Sequence, residues 1–107
     1  MAHEVAEKST TELRPYQFDF TGVLPSTDAT LDAVSTVLAY DSSGALISST
    51  IVTNIARTGV ILSCDLQNGS NGEDYKVVFQ AKGGTSAKTR ERVLELRVRN
   101  NPSNLVA

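Results

Sequence analysis

Residues 82–90 read KGGTSAKTR, a glycine pair followed by lysine, threonine and arginine. Glycines beside a Lys-Thr step are the parts from which a phosphate-gripping loop is made. Their spacing is wrong for that chemistry. A G-x-x-x-x-G-K-(S/T) motif ending at Lys88-Thr89 needs glycines at 82 and 87, where the chain has Lys82 and Ala87. It also needs a helix after the loop, with its first amides pointing at phosphate. The residues that follow instead alternate apolar with polar, the period of a strand. The segment is expected to be a basic loop joining two strands.

Other groups capable of chemistry are scattered. His3 is the one histidine and lies in a polar stretch, where a packed triad has nothing to rest on. Cys64, the one cysteine, shares the parity of Val60, Leu62 and Leu66, which marks a small buried hydrophobe. A lone cysteine excludes an internal disulfide and a thiolate metal cluster. The carboxylates Asp28, Asp41, Asp65, Glu73 and Asp74 fall at turns. The stretch DLQNGSNGED (65–74) breaks the calcium-loop spacing at Gln67 and Gly69, leaving at most a weak cation site there. No catalytic residue, cofactor or metal ligand set is expected, and the chain reads as a non-enzyme.

The bases Lys82, Lys88, Arg90, Arg92, Arg97 and Arg99 could touch phosphates, but no aromatic residue follows Phe79 to stack on bases. Docking to an acidic protein surface is expected over nucleic acid. The chain has 107 residues and a formal charge of −2, distributed unevenly. Residues 1–75 hold three bases and ten acids, and residues 76–107 hold seven bases and two acids. Such asymmetry can guide association. The opening MAHEVAEKSTTEL lacks a basic start and apolar run, and no stretch approaches a membrane helix, so synthesis in a cytoplasm and no membrane partner are expected.

The elements between the ends have period two. Residues 1–13 read as a flexible arm, 14–100 as the folded domain and 101–107 as a tail. Tyr16, Phe18 and Phe20 share one parity and predict a first strand with its aromatics inward. Residues 30–40 are rich in β-branched side chains and predict a strand, although Leu31, Val34 and Leu38 also fit a helical face. DSSG (41–44) predicts a turn with Gly44 at positive φ, and 46–55 a return strand. QNGSNGED (67–74) is the strongest turn signal, followed by alternating strands around Tyr75–Lys82 and Leu94–Arg99. Six to seven short strands predict an all-β, antiparallel, immunoglobulin-like β-sandwich. The Cys…Trp…Cys core of antibody domains is absent.

Two stretches resemble a known family. YQFDFTGVL (16–24) resembles the Y-x-x-D-W-x-x-x-L opening of phage fibre–tail adaptor proteins, with Tyr16, Asp19 and Leu24 matching and Phe20 in place of Trp. Residues 72–98 are similar to the family's closing pattern: G-x-x-Y-x-V, a loop with G-(R/K)-T, then R-x-x-x-(I/L)-x-V. Gly72, Tyr75, Val77, Lys88, Thr89, Arg92, Leu96 and Val98 match, while Ala87 replaces the loop glycine. The resemblance implies an immunoglobulin-like module without catalysis, built into the tail or neck of a virion. Its partners would be other virion proteins and further copies of itself. Glu4, Glu7 and Glu12 of the arm and Lys88, Arg90 and Arg92 of the basic loop are the expected protein contacts. An alternative is a capsid-decorating or surface-binding module that uses Tyr40 as a platform for glycan.

Overall fold

A computed structural model describes residues 4–24 and 28–99. Among them seven strands form: β1 (Glu4–Lys8), β2 (Arg14–Asp19), β3 (Thr36–Tyr40), β4 (Val52–Thr58), β5 (Ile61–Leu66), β6 (Asp74–Lys82) and β7 (Thr89–Val98), with one helical turn, α1 (Ser48–Ile51). They make an all-β sandwich. A four-stranded sheet in the order β1-β7-β6-β3 faces a three-stranded sheet in the order β2-β5-β4. This is the immunoglobulin-like arrangement with the first strand on the edge of the opposite sheet. Every pair is antiparallel except β1 with β7, which is parallel.

Period two does most of the folding. Leu62, Cys64 and Leu66 of β5, Tyr75, Val77, Phe79 and Ala81 of β6, and Leu94, Leu96 and Val98 of β7 are all buried. Phe18 of β2 and Phe20 just beyond it join the β5 row in facing the β6 and β7 side chains of the other sheet, with Phe18 edge-on to Phe79 at 4.8 Å between ring centroids. Each large apolar side chain so covered contributes about 1.5–3 kcal/mol. Cys64 is part of this core, and burial pushes its thiol up to about 12.

Local expectations failed where a long-range partner decides the structure. The arm expected over 1–13 is not free between residues 4 and 8, because β1 pairs with the far end of the chain, Glu4 opposite Leu94 through Lys8 opposite Val98. No periodic signal announces it, since only Ala6 and Lys8 turn inward and one of those is charged. Lys8 is 2% exposed. Its ammonium group donates to the carbonyls of Ser9 and Asn68, the latter at 2.6 Å. Burial lowers its pKa, against a smaller opposing effect of Glu12. His3 and the expected tail at 101–107 lie outside the described residues.

Residues 30–40 form a strand only from Thr36. Asp32 accepts from the Val34 amide, turning the chain, and Val34 is left exposed, so the helical face does not form. Gly44 takes φ +90° as expected, but the return along β3 is brief: Leu46 bridges antiparallel to Tyr40 and the Ile47 amide donates to Ala39 O at 2.8 Å, and the pairing stops there. Ser48 Oγ instead accepts from the Ala39 amide, α1 follows, and the chain crosses to the other sheet as β4. The Asn-Gly segment likewise carries the chain between sheets.

That crossing is closed by Tyr75, whose hydroxyl accepts the Ser70 amide at 2.9 Å. It is the tyrosine corner of immunoglobulin-like sandwiches. Gly69, at φ +96°, lies beneath it, where a Cβ would meet Val98 at 2.7 Å. Tyr75→Phe leaves the Ser70 N–H without its partner and is expected to destabilise the fold by about 1–2 kcal/mol. Urea unfolding midpoints of the two proteins check this.

Candidate protein-binding surface

The basic loop, residues 83–88, spans β6 to β7 and is built around an internal anion. Asp28, 6% exposed, accepts the amides of Thr85 (2.9 Å) and Ser86 (2.8 Å) and the Ser86 hydroxyl (2.6 Å). Those groups make a concave nest of donors suited to an anion. The chain's own carboxylate already fills it, so the loop does not offer these donors to a phosphate. A Cβ on Gly83 would collide with that carboxylate, which accounts for the first glycine. The loop is closed further by Gly83 N–H to Lys88 O (2.9 Å) and Gly84 N–H to Thr30 O (3.0 Å). Ala87 sits in the left-handed region at φ +60°, a conformation that glycine adopts more readily.

At this end of the sandwich the cations face outward. Lys88 and Arg90 are exposed, and Arg90 donates to its neighbour's carbonyl, Thr89 O. Arg57 donates to Ser35 O at 2.8 Å. The Ser35 hydroxyl accepts the Lys82 amide at 2.9 Å, which brings Arg57 and Lys82 to the same buried serine. Arg92 is turned differently: its guanidinium stacks over Phe18, 5.4 Å from the ring centroid, and helps close the core.

The expected acidic contacts are directed largely at the chain itself. Glu4 accepts the Tyr16 hydroxyl at 3.1 Å. With Phe18, Arg92, Val93 and Glu95 it lines a groove of about 640 Å³ along β7. Glu7 stands in register with Arg97, whose guanidinium binds Glu95 of its own strand at 2.9 Å. Glu12 accepts the Ser9 amide within its own turn. Arg99 binds Asp74 at 2.9 Å. The acidic first strand and the basic last strand are neighbours, so the asymmetry along the chain is largely cancelled in space. Of the expected contacts, Lys88 and Arg90 remain together at one end, Glu4 and Arg92 share the groove, and Glu7 and Glu12 stand apart.

Asp65 accepts from Asn54 at 2.9 Å while Asp74 pairs with Arg99, and among the described residues no group of three or more His, Cys, Asp or Glu could hold a metal ion. Asp28, Ser35 and Ser86, on which the basic end is built, were not legible as a unit. The only trace of them is a carboxylate and two hydroxyls in turn-rich stretches far apart in the chain. No protein-family model matches the chain, and no curated protein matches it.

Hydrogen bonds from Ser86 and Thr85 hold the Asp28 carboxyl below its ordinary range. Its contribution to stability is therefore complete above the unfolded value of about 3.9 and is lost as pH falls through the lower folded value. Asp28→Ala is expected to lower Tm by several degrees at pH 7 and to flatten the acid side of the Tm–pH curve, measured by calorimetry between pH 2 and 7. Ala87→Gly relieves a left-handed alanine and is expected to stabilise the protein by about 0.5–1 kcal/mol in denaturant titration.

Proposed function

We propose that the chain is a non-catalytic structural or adaptor module that joins components of a phage tail or neck through protein–protein contacts. The observation that carries it is the basic end: Arg57, Lys82, Lys88 and Arg90 gathered around a loop that Asp28 holds rigid. A preorganised loop loses little conformational freedom on docking, and exposed cations favour an acidic protein face. The family resemblance adds support, because the matching positions have clear structural work: Tyr75 closes the corner, Leu96 and Val98 fill the core, and Arg92 covers Phe18. In this proposal the protein is made in a host cytoplasm, is carried in the virion in repeated copies, and meets other virion proteins without nucleic acid, membrane or cofactor.

A second reading, a capsid-decorating module that binds glycan or a cell surface, draws on Tyr40. That ring is half-buried beside a depression of about 400 Å³ lined also by Asp41, Lys76, Gln80 and Glu91.

The adaptor proposal is tested with Lys88→Glu/Arg90→Glu. The variant is expected to keep the wild-type circular dichroism and Tm while losing about tenfold or more in affinity for tail, neck or fibre proteins encoded beside its gene. Wild-type binding should also weaken between low and high salt. Undiminished binding by the variant, or no binding of any virion protein by the wild type, would count against the proposal.

A further inference from the structure

Four strands end the two sheets, and three of them carry a device that hinders another strand from adding. β2 contains Pro15, which has no N–H to offer. β4 breaks register between Thr53 and Ala56, with Asn54 at φ +55°. The outer edge of β3 is occupied: Ala39 donates to Ser48 Oγ at 2.9 Å and accepts the Ile47 amide at 2.8 Å, and Arg57 covers Ser35 O. β1 has neither proline nor bulge, and its five residues pair in unbroken register.

The direction of its free hydrogen bonds follows from the ladder. Lys8 O accepts the Arg99 amide at 2.9 Å, so the peptide groups of Lys8, Ala6 and Glu4 face β7. Those of Val5 and Glu7 face outward, and no strand among the described residues pairs with them. Val5 is 48% exposed beside them.

We infer that β1 is a self-association edge, adding antiparallel to β1 of a second copy across a two-fold axis at Ala6. In this register Val5 stands opposite Glu7 of the second copy, and the outward peptide groups exchange both hydrogen bonds, twice by symmetry. Glu4 stands opposite Lys8 of the second copy, so the register sets residues of opposite charge, not like charge, against each other at both ends of the seam. Ala6 faces itself, with no bulk between the strands. Other registers are poorer. A slip of two residues one way leaves a single such pair, Val5 against Val5, and a slip the other way sets Glu7 against Glu7. The two four-stranded sheets become one continuous sheet across the dimer. The contact is independent of the tail or neck proposal, since Lys88 and Arg90 lie at the opposite end of β7.

Sedimentation velocity of the full chain is expected to show a concentration-dependent dimer. Val5→Pro removes an outward N–H that the β1–β7 ladder does not use. It is expected to raise the dimer dissociation constant roughly tenfold to a hundredfold while leaving Tm within a few degrees. Ala6→Pro removes an N–H facing β7 and is expected to lower Tm as well. Independently, oxidised Val5→Cys/Glu7→Cys protein is expected to run as a disulfide-linked dimer, since facing residues of such a pair lie within bridging distance, about 5.5 Å between Cα atoms. A wild-type chain that stays monomeric, a dimer that Val5→Pro leaves intact, or an absence of cross-linked dimer overturns the inference.

Discussion

The edge-on contact of Phe18 with Phe79 joins the two sheets, and the rest of the molecule is arranged around keeping it dry. Phe79 belongs to the central strand pair of the larger sheet, and Phe18 to an edge of the smaller one. That edge has no further strand to shield its ring. Arg92, opposite Phe79 in the β6–β7 register, supplies the cover by laying its guanidinium over Phe18. A residue that reads in sequence as a surface cation is thus partly a lid on the core. Tyr16 does the same from its own side, packing against both rings and tethering Glu4 through its hydroxyl.

Because β1 lies on β7, acidic residues of the first strand sit beside bases of the last. Glu7 faces Arg97, Glu4 shares a groove with Arg92, and Arg99 returns to Asp74. What remains outward is the cationic end around the β6–β7 loop. There the donors of the loop turn inward to Asp28 and only the side chains are left for a partner. The geometry separates two roles that similar loops combine elsewhere. The backbone binds an anion of the same chain, and the side chains are free to bind one from outside.

Much of the fold was legible because burial on one face of a strand imposes period two on the residues themselves. Phe18 and Phe20, the β5 row ending at Leu66, the β6 row from Tyr75, and Leu94 to Val98 were all placed inward by parity alone, and the structure buries them. The Gly44 turn and the placing of 83–88 as a strand connection were equally local, since each depends on a few adjacent backbone angles. The candidate site was less legible. Lys88 and Arg90 could be named as exposed cations, but not that Arg57 and Lys82 would join them through one buried serine.

By itself the sequence determined which side chains must leave water, and with them the strand-rich architecture, because hydrophobic alternation and turn chemistry act over a few residues. Which strands are neighbours was decided only in three dimensions. β1 has no apolar alternation of its own and becomes a strand because β7 offers an edge about ninety residues away, a ladder that exists only once the chain has folded. Asp28 is an ordinary turn carboxylate until the β6–β7 loop closes over it, when three donors, outweighing the cost of desolvation, make it the anchor of the basic end.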